Sequence, residues 1–321
     1  MSNPLVDQRA LASGAALCRV PAAVVRVTGT DRLTVLDNLL SQKIRPIAPG
    51  ESREALVLTG EGRIDRVVHL VEADDATIVI APDAESGEVA DWLESRVFLE
   101  DMHAEALAEV AVVTGVAASA PVSALHTWVD PWGALQPGGY QYAEGATDRT
   151  WAVAEWVVPA TALAELALVP YETLDALRIE AGRPALADVD NTALPHEFDW
   201  LRSAVHLNKG CYPGQETVAK VHNVGHPPRR LVRLHLDGSE SVFAEAGDAV
   251  ELEGAVVGRI TTAAIHHELG PIALALVKRT TPVSATLTVI HGDSALPATQ
   301  DVIVPPDAGA TAGVPRLPTL R

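Results

Sequence analysis

Short apolar runs recur early in the chain, at residues 22–28 (AAVVRVT), 54–58, 64–71 and 76–81, and Gly or acidic clusters such as TGEGR and EADDA separate them. Runs of this length, rich in β-branched residues and closed by turn formers, predict strands joined in antiparallel hairpins. After the first run, Gly29, Thr30 and Asp31 lead into Leu33, Leu36, Leu39 and Leu40, whose spacing predicts a helix. A second helix is expected from about Asp83 to Arg96, with Val89, Trp92 and Leu93 on its inner face. Pro159 and Pro170 punctuate two more, the latter running from Tyr171 to a Gly stop at Gly182 with Leu174, Leu177 and Ala181 on one side.

From Leu231 the texture changes. Residues 231–236 (LVRLHL), 249–252, 255–265, 271–277 and 285–291 read as strands with Gly or Pro between them, and no useful helix fits. The fold class expected is therefore α+β, with antiparallel sheets and helices over residues 1–225, in two subdomains of about 1–115 and 116–225. An all-β barrel is expected over 226–305, followed by a Pro/Ala/Gly-rich flexible tail over 306–321. The stretch PWGALQPGGYQYAEGATD, residues 131–148, is turn-rich and expected to be exposed. The irregular run RPALADVDNTALPHEFDW, residues 183–200, carries Leu186, Val189, Leu194, Phe198 and Trp200 and is read as functional.

A chain of 321 residues supports two or three cores. With aromatics at only 4%, those cores must be built from Ala, Val, Leu and Ile. The net charge of −18 repels a phosphate backbone, and lysine occurs only at Lys43, Lys209, Lys220 and Lys278, so direct nucleic-acid binding is excluded as a function class. A small anionic ligand held by arginines stays open. Cys18 and Cys211 contain no CxxC pair and make no metal cage by themselves, although a disulfide between them is left open. The N-terminus lacks a basic start followed by a long apolar core, and no stretch approaches the roughly 18 apolar residues that span a bilayer. A cytoplasmic location and no membrane partner are the expectation.

The richest chemistry lies at residues 206–216. Gly210, Pro213 and Gly214 bracket Cys211, so the backbone must turn sharply and lie open there. A helix is expected to begin near Gly214. A thiol ahead of a helix N-terminus and beside Lys209 sits where its thiolate is stabilised, as a nucleophile or a soft ligand shared with a partner; a buried inert cysteine is the alternative. His222 and His226 lie close enough in sequence to act as bases. His266-His267-Glu268 resembles a metal cluster, but neighbours on a strand face opposite ways, so a polar turn is expected instead. Cys18 is expected to be packed.

Lys209-Gly210-Cys211-Tyr212-Pro213-Gly214-Gln215-Glu216 resembles the K-G-C-[FY]-x-G-Q-E signature of YgfZ-type proteins, relatives of the glycine-cleavage aminomethyltransferase. Leu177 to Gly182 (LRIEAG) is similar to the superfamily's L-R-x-E-A-G motif. Asp188-Val189-Asp190, Pro195-His196-Glu197, and the stretches at 257–262 and 272–277 are also similar to superfamily motifs. The likeness is clear over 171–278 and fainter over 24–110.

The resemblance implies a GcvT-like folate-binding fold around a central cavity for tetrahydrofolate. It implies Glu180 on the pterin. Arg229 and Arg230, between the cysteine loop and the first barrel strand, are candidates for the glutamate tail of folate or else a solvated face paired with local acids. Tyr212 and Gln215 are candidates for the cavity mouth or else loop packing, and Lys209 is a candidate cofactor contact. Cys211 would be the working residue, presented to iron–sulfur client or assembly proteins, with effects on tRNA modification only indirect. Where the transferases carry an I-x-D-D segment, this chain has Ile64-Asp65-Arg66-Val67, which sets Arg66 at the catalytic aspartate. An accessory factor is therefore expected, with no carboxylate at the one-carbon end of the cavity. A tetrahydrofolate-dependent one-carbon transferase of the aminomethyltransferase kind and a non-catalytic interaction module are the alternatives.

Overall fold

A computed structural model describes residues 3–142, 151–239 and 241–313. The chain starts with α1 (Pro4–Ala12) and β1 (Leu17–Val20), then β2 (Ala22–Thr28), α2 (Arg32–Leu39), β3 (Ser52–Leu58), β4 (Ile64–Glu72), β5 (Thr77–Pro82), α3 (Ser86–Glu94) and β6 (His103–Ala106). It continues through β7 (Val110–Val116), β8 (His126–Val129), β9 (Val153–Pro159), β10 (Leu168–Val169), α4 (Thr173–Glu180) and α5 (Gln215–Val224). The last part is all strand: β11 (Arg229–Leu236), β12 (Ala249–Leu252), β13 (Ala255–His266), β14 (Gly270–Lys278), β15 (Leu287–His291) and β16 (Ser294–Val302).

Three sheets result. One has the order β3-β4-β5-β2-β6, a second β10-β1-β7-β9-β8, and β11-β14-β13-β12-β15-β16 close into a barrel. The mixed α+β class with a C-terminal barrel is thus the observed one. Pro21 lies between β1 and β2, and there the chain passes from one open sheet to the other. Proline donates no ladder hydrogen bond, which suits a residue between two sheets. The first sheet buries Val25 and Leu70 against Leu36 of α2 and Leu93 of α3. Its other face brings Val24, Val71 and Ile80 against Val112, Trp128 and Val157 of the second sheet. A third cluster, with Leu56, Ile64, Ile179, Trp200, Leu231 and Leu274, joins both halves to the barrel.

Four local expectations change. Helix α1 and strand β1 carry no strong period and were not predicted. Strand β16 was also missed, because SALPATQDV alternates small and polar residues around a proline; only Leu296 and Ala298 of it are buried. The turn-rich stretch expected to be exposed buries Trp132 and Tyr142, while its residues 143–148 lie outside the described residues. Residues 306–313, expected to be flexible, instead dock on α5: Thr311 N donates to His222 O (3.0 Å), Ala312 N to Asn223 O (3.1 Å), and Ala308 is buried. The end of that tail, 314–321, lies outside the described residues. Among the described residues no helix is long and apolar enough to cross a membrane.

Candidate functional site

Between the two open sheets, α4 and the run that follows it, a cavity of about 70 Å³ opens, lined among others by Glu54, His69, Trp128, Glu155, Arg183 and Trp200. That is room for a few waters, and less than the roughly 150 Å³ that takes a benzene ring, so a ring could enter only if the wall side chains shift. Pairing of β3 with β4 sets Glu54 opposite His69, and residues opposite each other in a ladder share one face. Arg183 reaches in from the loop after α4. Its Nη2 donates to Glu54 Oε1 (2.6 Å) and its Nε to Asp130 Oδ2 (3.0 Å). Burial opposes that guanidinium charge, but Asp130 and Glu54 outweigh it and the net shift is upward. Trp200 Nε1 donates to Glu54 Oε1 (3.2 Å) and Trp151 Nε1 to Asp130 Oδ2 (2.7 Å). Two buried atoms of this network, Glu54 Oε2 and Arg183 Nη1, have no partner among the described residues, and an unmet buried group costs about 1–3 kcal/mol. His69 stacks on Trp128 with ring centroids 3.7 Å apart, and its Nδ1 lies 2.8 Å from Glu155 Oε2.

Asp83 and Tyr171 complete the wall. Partial burial, reinforced by Asp175, raises the pKa of the Asp83 carboxyl, and burial raises that of the Tyr171 phenol. Asp83 has a left-handed backbone (φ 56°) just past β5, a conformation that asparagine and aspartate tolerate better than most residues. Glu54, Asp83, Asp130 and Glu155 thus all line the cavity. The expectation that no carboxylate stands at the one-carbon end of the cavity rested on the I-x-D-D strand alone, whereas these four come from β3, β9 and the segments just after β5 and β8. In β4 itself the pairing slips, with Leu58 opposite Ile64 and Val57 opposite Arg66, so Asp65 is skipped. The bulge turns both Ile64 and Val67 to the central core, leaves Asp65 exposed, and sends Arg66 out to Glu88 on α3. Neither Asp65 nor Arg66 lines the cavity; Val67 and His69 do.

The cysteine loop lies elsewhere. Both cysteines are free; Cys18 is buried and Cys211 exposed. Burial pushes the Cys18 thiol up to about 12. Gly214, at φ 78°, precedes α5, and a Cβ there would lie 2.6 Å from both Gly62 Cα and Thr59 O. Only glycine lets the loop seat against the β3–β4 hairpin this closely. Lys209 Nζ donates to the backbone carbonyls of Asp37, Leu40 and Gln42, at 2.8 Å for the last two. Burial draws its pKa down to about 8 against the pull of Asp37. Its ammonium is therefore a staple to the segment after α2, which corrects its expected place beside the thiolate or a ligand. Gln215 Nε2 donates to Lys209 O (3.3 Å) and closes the loop. Tyr212 is buried, with Lys209 Nζ 5.5 Å from its ring centre.

The other expected ligand residues are scattered. Glu180 is half-buried at the barrel junction, its Oε2 3.2 Å from His266 Nε2, and it does not line the cavity. Arg229 is held by Asp190 (2.6 Å) and Glu197 (2.8 Å), and it outweighs burial to hold the Asp190 carboxyl well below the usual carboxylate range. Arg230 is fully buried, and its Nη2 donates to Thr281 O (2.8 Å) and Gln300 Oε1 (2.9 Å). Arg229 is held by its two acids, and Arg230 is sealed in the barrel with its Nε and Nη1 unpartnered among the described residues, a correction to their expected reach toward folate. His222 bonds Tyr142 Oη (2.8 Å) and His226 bonds Ala308 O (2.8 Å), so neither serves Cys211. Sequence reading missed Glu54, His69, Asp130, Glu155 and Arg183. For Glu54, His69 and Glu155 the signal was a charged or titratable residue within an apolar strand, as in SREALVL and IDRVVHLVE; Asp130 and Arg183 lie in loops and carried no such signal.

Comparison with known proteins bears on the fold. Residues 229–304 match the family described as the glycine cleavage T-protein C-terminal barrel domain. The crystal structure of glycine cleavage system aminomethyltransferase T from Bartonella henselae superposes with a TM-score of 0.70, covering 97% of this chain and 90% of that one. At 17% identity that likeness is one of fold, and the fold is GcvT-like. A protein of Arabidopsis thaliana named "Putative transferase At1g60990, chloroplastic" is 37% identical over 90 residues. That match spans 27% of this chain and 19% of the relative's length.

Proposed function

We propose that the protein binds a reduced folate by its pterin head in the central cavity and acts as a YgfZ-like accessory factor for iron–sulfur proteins, presenting Cys211 to a client or assembly partner. One observation carries the folate half: a carboxylate oxygen, Glu54 Oε2, and a guanidinium nitrogen, Arg183 Nη1, that have no partner among the described residues belong to two residues lining one small polar cavity, which a bound ring would have to widen. With Oε1 taken by Arg183 and Trp200, Glu54 offers Oε2 to one N–H of a pterin's aminopyrimidine edge, and the pterin's ring acceptors suit a guanidinium. Tetrahydrofolate fits this donor set, and the GcvT-like fold agrees with it. Glu54 here takes the role that the motif assigns to Glu180.

The cysteine half rests on the KGCYPGQE resemblance and on the exposure of a free thiol in a pinned loop. A reducing cytoplasm keeps such a thiol free. Effects on tRNA modification follow indirectly through a cluster-bearing modifying enzyme, because a net charge of −18 opposes direct contact with RNA. A folate-dependent one-carbon transferase is the second reading, favoured by the carboxylates of the cavity wall.

Calorimetric titration with tetrahydrofolate tests the first half. Glu54→Gln should weaken binding about tenfold or more, since a hydrogen bond to a charged group contributes about 1.5–3 kcal/mol. Glu180→Ala should stay near wild type. Absence of binding heat in wild type would leave the interaction-module reading. Turnover of the folate with a methylamine-type donor would favour the transferase.

A further inference from the structure

His69 has a use that ligand binding alone does not explain. Its Nδ1 lies 2.8 Å from Glu155 Oε2 on β9. A carboxylate only accepts, so this contact places the proton of the neutral ring on Nδ1 and leaves a lone pair on Nε2. Nε2 has no hydrogen-bond partner among the described residues, and the ring lines the cavity. Trp128 lies parallel at 3.7 Å with a 6° interplanar angle, and its own Nε1 is tied to Arg53 O (2.9 Å), so the imidazole has one face fixed. An oriented imidazole backed by a carboxylate and open on its far nitrogen is the arrangement of a general base.

We propose that His69 and Glu155 form a proton-transfer pair acting on the ligand of the central cavity, an inference that rests on the folate reading for the identity of that ligand. The ligand's N–H or O–H bond breaks, its proton passes to His69 Nε2, and the electron pair stays on the ligand. Glu155 keeps the Nδ1–H hydrogen bond and balances the imidazolium; the reverse step returns the proton. His69 is the proton acceptor, and Glu155 is a positioning residue that acts through it. The other groups around the cavity are Glu54, Asp83, Asp130, Arg178, Arg183 and Tyr171. Arg183 is engaged by Glu54 and Asp130, and Arg178 by Asp175 and Asp188, so Glu155 is the carboxylate bonded to the ring.

Two measurements on the full chain test the pair. Long-range proton–nitrogen NMR of the histidine rings, without ligand, should find neutral His69 with its proton on Nδ1, and Glu155→Gln should change that signature. A proton on Nε2 in wild type overturns the proposal. Titration with tetrahydrofolate in buffers of different ionisation heat should show proton release on binding at pH values where imidazoles are protonated, and His69→Gln should reduce it at least threefold. Binding with no proton release and no shift of the His69 signals also overturns the pair. No binding by wild type overturns the folate reading, while the tautomer still decides the pair.

Discussion

In the central cavity the charged side chains hold one another, drawn from strands and from the loops that follow them. In the Cys211 loop the backbone is what is held, and the reactive side chain is left free. Glu54, Asp130 and Arg183 are buried and mutually paired, whereas Cys211 is exposed on a turn fixed by Lys209 and Gly214. The contrast teaches that the residues of a dense motif need not converge on one ligand. In KGCYPGQE, Lys209, Gly214 and Gln215 shape the turn, and the cavity draws its polar groups from strands and loops far apart in sequence.

The largest effect should come from the cavity. Arg183→Met strands Glu54 and Asp130 as buried unpaired carboxylates, and removing one partner of a buried pair costs about 3–5 kcal/mol. Urea unfolding measures it, and a loss below 1 kcal/mol would show that water already relieves those carboxylates.

Acid should strike the support of the cysteine loop next. His196 is buried beneath α5, its Nε2 donating to Val218 O (3.0 Å), and burial pushes its pKa down to about 4 from 6.5. A depressed folded value means the unfolded chain binds the proton first, so stability is full above pH 6.5 and falls as pH drops toward 4. The loss is about 3 kcal/mol at 1.36 kcal/mol per pKa unit. His196→Gln should flatten this part of the profile; an unchanged slope would mean that other groups dominate it.

Gly214→Ala tests the loop itself. Its positive φ and the 2.6 Å approach to Gly62 predict a loss of about 2 kcal/mol, and a neutral result would show that the hairpin moves aside. Cys211→Ser should change stability least, by no more than about 0.5 kcal/mol, as for other exposed positions. The same variant should abolish fast labelling by iodoacetamide, because Cys18 is buried with its thiol pushed up to about 12. Residual fast labelling would mean that Cys18 becomes accessible. Loss of support for a cluster-bearing client in that variant, with folate binding unchanged, separates the two regions functionally.

By itself the sequence determined the elements with a strong period. Strands β2 to β5 of the first open sheet, helices α2 to α5 and most barrel strands follow from local alternation, helical spacing and Gly or Pro stops, which depend on nearest neighbours. It also marked the cysteine loop, because a tight turn needs its glycines in a short span. Only the tertiary structure decided which polar residues share the cavity. Glu54, His69, Glu155 and Arg183 are separated by up to 129 residues, and their meeting depends on strand register, on a bulge at Asp65 and on the packing of one sheet against another. A single slipped residue turns a side chain to the opposite face, so local pattern could neither place these charges together nor show that Glu180, Arg229 and Arg230 point elsewhere.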